Sequence, residues 1–164
     1  MKGKLGAVAL VAAMCMGGQA QAASCWSAVA YEAAQLRDFE TLLMVQTLRC
    51  RIKDLDFSND YNRFVREKRP ILSAASDQLR GQFALDVGKG RALGAYDDFM
   101  TKVANGYGGG TVGMDCKDYA RLAKMAVQAP AQRAAIVKLA ESVGSSPRIP
   151  GRRCGTNVAL NAGK

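Results

Sequence analysis

Histidine is absent from this chain of 164 residues, and its absence excludes several kinds of catalytic site. Ser-His-Asp catalysis, Cys-His proteolysis and His-ligated metal sites all need an imidazole, because it titrates near neutral pH and offers two nitrogens. We therefore expect neither a cofactor nor a metal. A pair of carboxylates, as in glycosidases, is a catalytic arrangement that the composition still allows.

Long apolar runs are also scarce, and the one clear example lies at the N-terminus. A short basic start precedes an uncharged apolar run over residues 5–16, and Ala20 and Ala22 occupy the small-residue positions of a cleavage site. This three-part pattern is typical of a secretory signal peptide, and the run is too short to span a bilayer. The sequence therefore predicts a signal peptide over residues 1–22, no transmembrane segment, and a periplasmic or secreted protein.

Removal of that leader would leave four cysteines, an even number that favours two disulfides in an exported chain. Their separations of 25, 66 and 38 residues do not resemble the close pairs of a zinc site. These cysteines are Cys25, Cys50, Cys116 and Cys154.

The disulfide pairing depends on whether residues 25–52 form one helix. At ~1.5 Å per residue, such a helix would hold Cys25 and Cys50 nearly 40 Å apart, against the ~4.4 to 6.8 Å between Cα atoms that a disulfide allows. Of the two remaining pairings we prefer Cys50 with Cys116 and Cys25 with Cys154. A tight turn near Asp38 would instead pair Cys25 with Cys50.

Apolar residues recur at helical spacing, and no segment alternates long enough to predict a strand. We expect an all-α domain over residues 23–144, with about five helices packed around residues 41–51, and an irregular basic arm over residues 145–164. Further expectations are a cap at Ser24, a kink or break at Pro70, a seam of Leu93, Tyr96, Met100, Val103 and Tyr107, a cap at Asp115, and a last helix from Pro130 to Gly144.

The excess of positive charge lies after Cys116, where nine basic residues face two acidic ones. The arm carries Arg148, Arg152 and Arg153, which can form bidentate contacts with carboxylate or phosphate. We predict that these three arginines bind an unknown protein or an anionic envelope component. The alternative is a solvated basic surface that keeps the protein soluble.

Other basic and glycine-rich clusters have simpler interpretations. A basic cluster over residues 49–69 could bind nucleic acid, but its aromatic residues fall on the core stripe and an exported chain rarely meets that ligand, so no nucleic acid is expected. The glycine run at 106–110 could hold a phosphate, but Asp115 and Asp118 would repel it, and a flexible loop is favoured.

Two functions are compatible with these features. The first is a non-enzymatic exported protein that binds a partner, of inhibitor, immunity-like or stress-protective type. The alternative is a carboxylate-dependent hydrolase of cell-wall glycan that uses Glu32 and Glu40, which lie eight residues apart on the first predicted helix.

Scattered residues between about 41 and 120 resemble a group of small exported helical proteins of alphaproteobacteria. The resemblance implies a helical, cysteine-containing exported protein and implies no activity. The residues that carry it are Leu42-Leu43-Met44-Val45, Leu48-Arg49-Cys50-Arg51, Tyr61-Asn62-Arg63-Phe64-Val65, Arg69-Pro70, Tyr96-Asp97, Ala104-Asn105-Gly106-Tyr107 and Asp115-Cys116.

Overall fold

The computed structural model describes residues 25–155, which form one all-α domain, as the sequence predicts. Six α-helices and a short 3-10 helix make up the described chain. They are α1 (Ala28–Arg51), α2 (Ser58–Glu67), α3 (Arg69–Val87), the 3-10 helix Lys89–Arg91, α4 (Ala92–Gly106), α5 (Cys116–Gln128) and α6 (Arg133–Ser142). None of the described helices is long and apolar enough to cross a membrane. The predicted signal peptide lies outside the described residues.

The central element is the whole of α1, which contacts each of the other five α-helices. It begins later than predicted, because Ser27 is the cap: its side-chain oxygen accepts a hydrogen bond from the Ala30 backbone N–H at 3.1 Å. The helix runs without interruption through Asp38. The alternative of a tight turn near Asp38 is therefore wrong.

Both predicted disulfides are confirmed. Cys50 and Cys116 join the end of α1 to the start of α5, with 5.6 Å between their Cα atoms. Cys25 and Cys154 join the two ends of the described chain, with 4.9 Å between their Cα atoms. Beside this second bridge, Trp26 accepts a backbone hydrogen bond from Cys154 at 2.8 Å and fastens the arm to the core.

The predicted break at Pro70 divides one expected helix into α2 and α3, which is why the domain has six α-helices rather than five. Pro70 lies in the first turn of α3, where its missing N–H costs nothing. Lys68 at the junction is 4% exposed, and its ammonium group donates to the carbonyl oxygens of Val127 and Ala129 at 3.1 and 2.6 Å. This cation at the C-terminal end of α5 fixes the junction against that helix.

Two helix predictions need correction. In α4 the buried positions are Ala92, Tyr96 and Phe99, whereas Leu93 of the expected seam is 59% exposed. The last helix begins at Arg133, because the chain after Pro130 forms a turn before it becomes helical. In each of these two helices, the predicted and the observed arrangement fit helical spacing equally well. The sequence therefore did not distinguish the one from the other.

Candidate functional site

A set of polar side chains is buried along the central helix α1, where sequence periodicity alone predicts apolar packing. Three of them hydrogen-bond through their side chains to other parts of the chain, namely Asp38, Glu40 and Gln46, so they help to determine how α2, the loops and the arm meet α1. The set consists of Gln35, Asp38, Glu40, Thr41, Gln46 and Thr47.

Asp38 joins the arm to the end of α4. Its Oδ2 atom accepts a hydrogen bond from the Ser145 hydroxyl and another from the Tyr107 hydroxyl, each at 2.6 Å. Burial raises the pKa of Asp38 above its ordinary value, and these two hydrogen bonds oppose that rise. The pKa of the Tyr107 hydroxyl is raised by burial and by the neighbouring carboxylate.

A cavity of about 400 Å³ lies beside Asp38, between α1, α4 and the arm, and we call it the arm cavity. Its walls combine a buried carboxyl group, Asp38, with two exposed cations, Lys102 and Arg148. Neither cation forms an ion pair with another described residue. The cavity therefore offers free positive charge at its mouth and an acceptor deeper inside.

The three predicted binding arginines of the arm have different surroundings. Arg148 lines the arm cavity. Arg152 is exposed, and its backbone carbonyl accepts a hydrogen bond from the Trp26 N–H at 2.9 Å. The guanidinium carbon of Arg153 lies 3.9 Å from the ring centroid of Tyr31, a cation–π contact that holds the arm against α1. The structure therefore brings Arg148 alone of the three to this cavity.

A second cavity, of about 480 Å³, lies at the C-terminal end of α1, and we call it the Arg49 cavity. The glycine-rich loop after α4 and the first turn of α5 form its other walls. Three cationic side chains line it: Arg49, Lys53 and Lys117. One acidic side chain lines it as well, Asp115.

Arg49 is held in place within this second cavity by a glutamine one turn earlier on α1 and by the glycine-rich loop. Its Nη1 donates to Gln46 Oε1 at 2.6 Å, and its Nη2 donates to the Gly109 carbonyl at 3.2 Å. Gln46 is fully buried and donates in turn to the Tyr107 carbonyl at 2.9 Å. A rigid amide thus orients the guanidinium.

The two carboxylates considered for glycan hydrolysis are both engaged in contacts that hold helices together. Glu32 accepts a hydrogen bond from Arg133 at 2.9 Å. Glu40 accepts one from the Tyr61 hydroxyl at 2.8 Å and forms an ion pair with Arg37 at 3.1 Å. Neither Glu32 nor Glu40 lines the arm cavity or the Arg49 cavity.

No family model, no curated protein and no solved structure matches this chain. The resemblance to exported alphaproteobacterial proteins therefore stays a prediction. Among residues 25–155, no cluster of three or more His, Cys, Asp or Glu side chains is arranged to hold a metal ion.

Sequence reasoning missed Lys102 and Asp38 as parts of a cavity. Lys102 is an isolated lysine in α4, and Asp38 was considered as a possible bend in the first helix. Their partners lie far away in the sequence, so no local spacing marks them. The absence of any acidic residue between 145 and 164 is the signal that pointed to Arg148.

Proposed function

We propose that this chain is a non-enzymatic exported protein that binds an acidic partner protein through the arm cavity. The observation that carries the proposal is the presence of two unpaired cations, Lys102 and Arg148, at one cavity. Because the arm contains no acidic residue, no carboxylate side chain within it competes with a partner's carboxylates for these cations. An inhibitor, an immunity-like protein or a stress-protective binder would all use such a surface.

The anchoring of the arm supports binding, because an ordered surface loses less conformational entropy when a partner arrives. The Cys25–Cys154 bridge fastens the arm after Arg148, and the hydrogen bond from Ser145 to Asp38 fastens it before Arg148. Pro147 is buried between them. Arg148 therefore projects from a segment that is tethered on both sides.

A protein partner fits these features better than a lipid surface. Three exposed cations near a membrane contribute about 1 kcal/mol each, which corresponds to binding weaker than about 1 mM. Stable attachment needs apolar side chains that insert, but the arm's Ile149 packs against the core. Two disulfides agree with export, because such bonds persist in oxidising compartments.

The proposal is tested with three baits made from the exported protein. They are the wild type, a variant with Lys102, Arg148 and Arg152 changed to Gln, and a control with Lys124, Arg66 and Arg69 changed to Gln. The control loses the same charge from exposed positions outside the arm cavity. We expect one envelope protein to be retained by the wild type and the control, to be lost with the arm variant, and to dissociate as salt rises.

Three results would contradict this proposal. Equal retention by all three baits would place the contact surface elsewhere, and binding to vesicles of phosphatidylglycerol and phosphatidylethanolamine in preference to any protein would favour a lipid surface. Release of reducing ends from peptidoglycan, lost on Glu32→Gln or Glu40→Gln, would show that the protein is the alternative hydrolase.

A further inference from the structure

We propose that the Arg49 cavity is a second binding site, independent of the arm, for a small organic anion with two or more phosphate or carboxylate charges. Arg49, Lys53 and Lys117 supply the positive charge, and the loop of residues 109–111 supplies the opposite wall. Its volume of about 480 Å³ falls within the range of small-molecule sites, roughly 300 to 1,000 Å³.

Arg49 gives this site a preorganised cation. A guanidinium carries five N–H donors, and the two hydrogen bonds to Gln46 and Gly109 leave three of them available. Because buried Gln46 and the loop backbone already fix its orientation, a ligand would not need to order this side chain. Preorganised guanidinium groups match the geometry of phosphate and carboxylate oxygens.

Gly110 shows how closely the loop approaches this guanidinium. A Cβ atom built at Gly110 would lie 2.7 Å from Arg49 Nη1, so the guanidinium would have to shift to make room for it. Gly110 also has a φ of 87°, a conformation that favours glycine. The glycine therefore allows the loop to close against Arg49.

The acidic residue at the cavity is already engaged by backbone groups. Asp115 Oδ1 accepts hydrogen bonds from the N–H groups of Lys117 and Asp118 at 2.8 and 3.0 Å, and these bonds lower the pKa of the carboxyl group. The carboxylate therefore stays charged, and its negative charge is stabilised by the N-terminal end of α5. Neither Lys53 nor Lys117 forms an ion pair with a described residue, so both remain available to a ligand.

An unpaired hydroxyl adds a neutral hydrogen-bonding group to the same cavity. The Oγ1 atom of Thr111 is buried and has no hydrogen-bond partner among the described residues. A buried hydroxyl without a partner is uncommon and calls for an explanation. An anionic oxygen in the cavity would accept a hydrogen bond from this hydroxyl. Leu55, Met114 and the Tyr119 ring provide apolar walls for the body of the ligand.

The test titrates the ¹⁵N-labelled exported protein at low salt with pyrophosphate and, separately, with tricarballylate. We expect saturable shifts confined to the backbone amides of Gly109, Gly110, Thr111 and Lys117. The stronger of the two probes identifies the acid group of the natural ligand. Changing Lys53 and Lys117 to Gln removes two charge-assisted contacts and should weaken binding by about tenfold for each contact.

The matched control is the double variant in which Lys89 and Lys124 become Gln. It loses the same charge from exposed positions outside the cavity, and Lys124 lies on the same helix as Lys117. We expect its affinity to stay within about twofold of the wild type, since remote exposed charges are screened. Equal weakening in both doubles, or no saturable shift with either probe, would overturn the site. The variant in which Lys102, Arg148 and Arg152 become Gln should bind both probes as the wild type does. Each of the two proposals can therefore fail without the other.

Discussion

The arm cavity and the Arg49 cavity both present cations, but they hold those cations in different ways. At the Arg49 cavity, a fully buried glutamine and a backbone carbonyl fix the guanidinium before any ligand binds. At the arm cavity, Lys102 and Arg148 are exposed and have no ion-pair partner among the described residues. The first arrangement suits a small ligand of fixed geometry, and the second suits a partner surface to which side chains can adapt.

The difference follows from what each region must order on binding. An immobilised long side chain costs about 0.5 to 1.5 kcal/mol. Both cations of the arm cavity carry that cost, and so do Lys53 and Lys117 at the Arg49 cavity, but Arg49 is already ordered. A large interface can offset that cost with many contacts, whereas a small anion makes few contacts and gains most from a cation that is ordered in advance.

The largest expected effect comes from the disulfides, one of which belongs to each region. Changing Cys50 and Cys116 to Ser should lower the free energy of unfolding by about 4 kcal/mol, given their separation of 66 residues. Changing Cys25 and Cys154 to Ser should lower it by about 5 kcal/mol, because that separation is 129 residues. Urea denaturation of each purified variant measures both values.

The two disulfide variants should also differ in hydrogen exchange. Loss of the Cys25–Cys154 bridge should increase exchange in the arm and around Trp26, while the amides of α5 stay protected. Loss of the other bridge should increase exchange at the first turn of α5. If both variants exchanged in the same places, the two regions would unfold as one unit and the comparison between them would fail.

A smaller effect is expected from Gly110→Ala, which acts on the Arg49 cavity alone. The added methyl would meet Arg49 Nη1, and the positive φ would strain the backbone, at a cost of about 1 to 3 kcal/mol. The matched control is Gly109→Ala, where no atom lies within 4 Å of the added Cβ and stability should change by less than about 0.5 kcal/mol. Denaturation measures the cost, and the NMR signal of the Arg49 side chain reports its displacement.

Equal stability of the two alanine variants would contradict the close approach of the loop to Arg49. A change in the hydrogen bonds of Ser145 or Tyr107 to Asp38 in the Gly110 variant would show that the cavities are coupled. We expect neither result, because Gln46 connects Arg49 only to the backbone carbonyl of Tyr107, whereas the side-chain hydroxyl of Tyr107 bonds to Asp38.

The disulfide pairing could be predicted because it depends on the length of the first helix. A helix that long cannot bring Cys25 to Cys50, and the geometry of a disulfide then leaves few choices. The break at Pro70 and the cap at Asp115 were predictable for a similar reason, since each depends on the chemistry of one residue. Such local rules need no knowledge of neighbours in space.

The buried polar groups could not be predicted, because their partners come from distant segments. Five helices surround α1, so its buried positions do not follow one apolar stripe, and Gln46 is buried while Leu48 is 56% exposed. Arg49 meets the Gly109 carbonyl across 60 residues of sequence. The spacing of residues within either segment does not predict that contact. It does not predict the contact between Asp38 and Ser145 either.

The smallest expected effect is a dependence of stability on pH. It should arise from the inner group of the arm cavity, Asp38, and not from the inner group of the Arg49 cavity, Gln46. Burial raises the pKa of Asp38 above its ordinary value of 3.8, while the hydrogen bonds from Ser145 and Tyr107 oppose the rise, so the net effect is a difference between opposing causes. Because the folded protein binds this proton more tightly than the unfolded chain, the Asp38 contribution to stability is fully present below the unfolded pKa of 3.8 and is lost as pH rises through the folded pKa. Gln46, the corresponding inner group of the Arg49 cavity, does not titrate in this interval.

The variant Asp38→Asn tests this pH dependence because it keeps an acceptor for both hydroxyls and removes the titration. The carboxyl groups of Asp56, Glu67 and Asp115 have lowered pKa values, which weaken the fold on acidification, but they are present in both proteins and cancel in the difference. We therefore expect the free energy of unfolding of the wild type, relative to the variant, to fall between pH 4 and pH 7 in a series of urea denaturations. A relative stability that rises with pH would mean that the hydrogen bonds outweigh burial, and that the arm is held by a carboxylate that the fold prefers to keep charged.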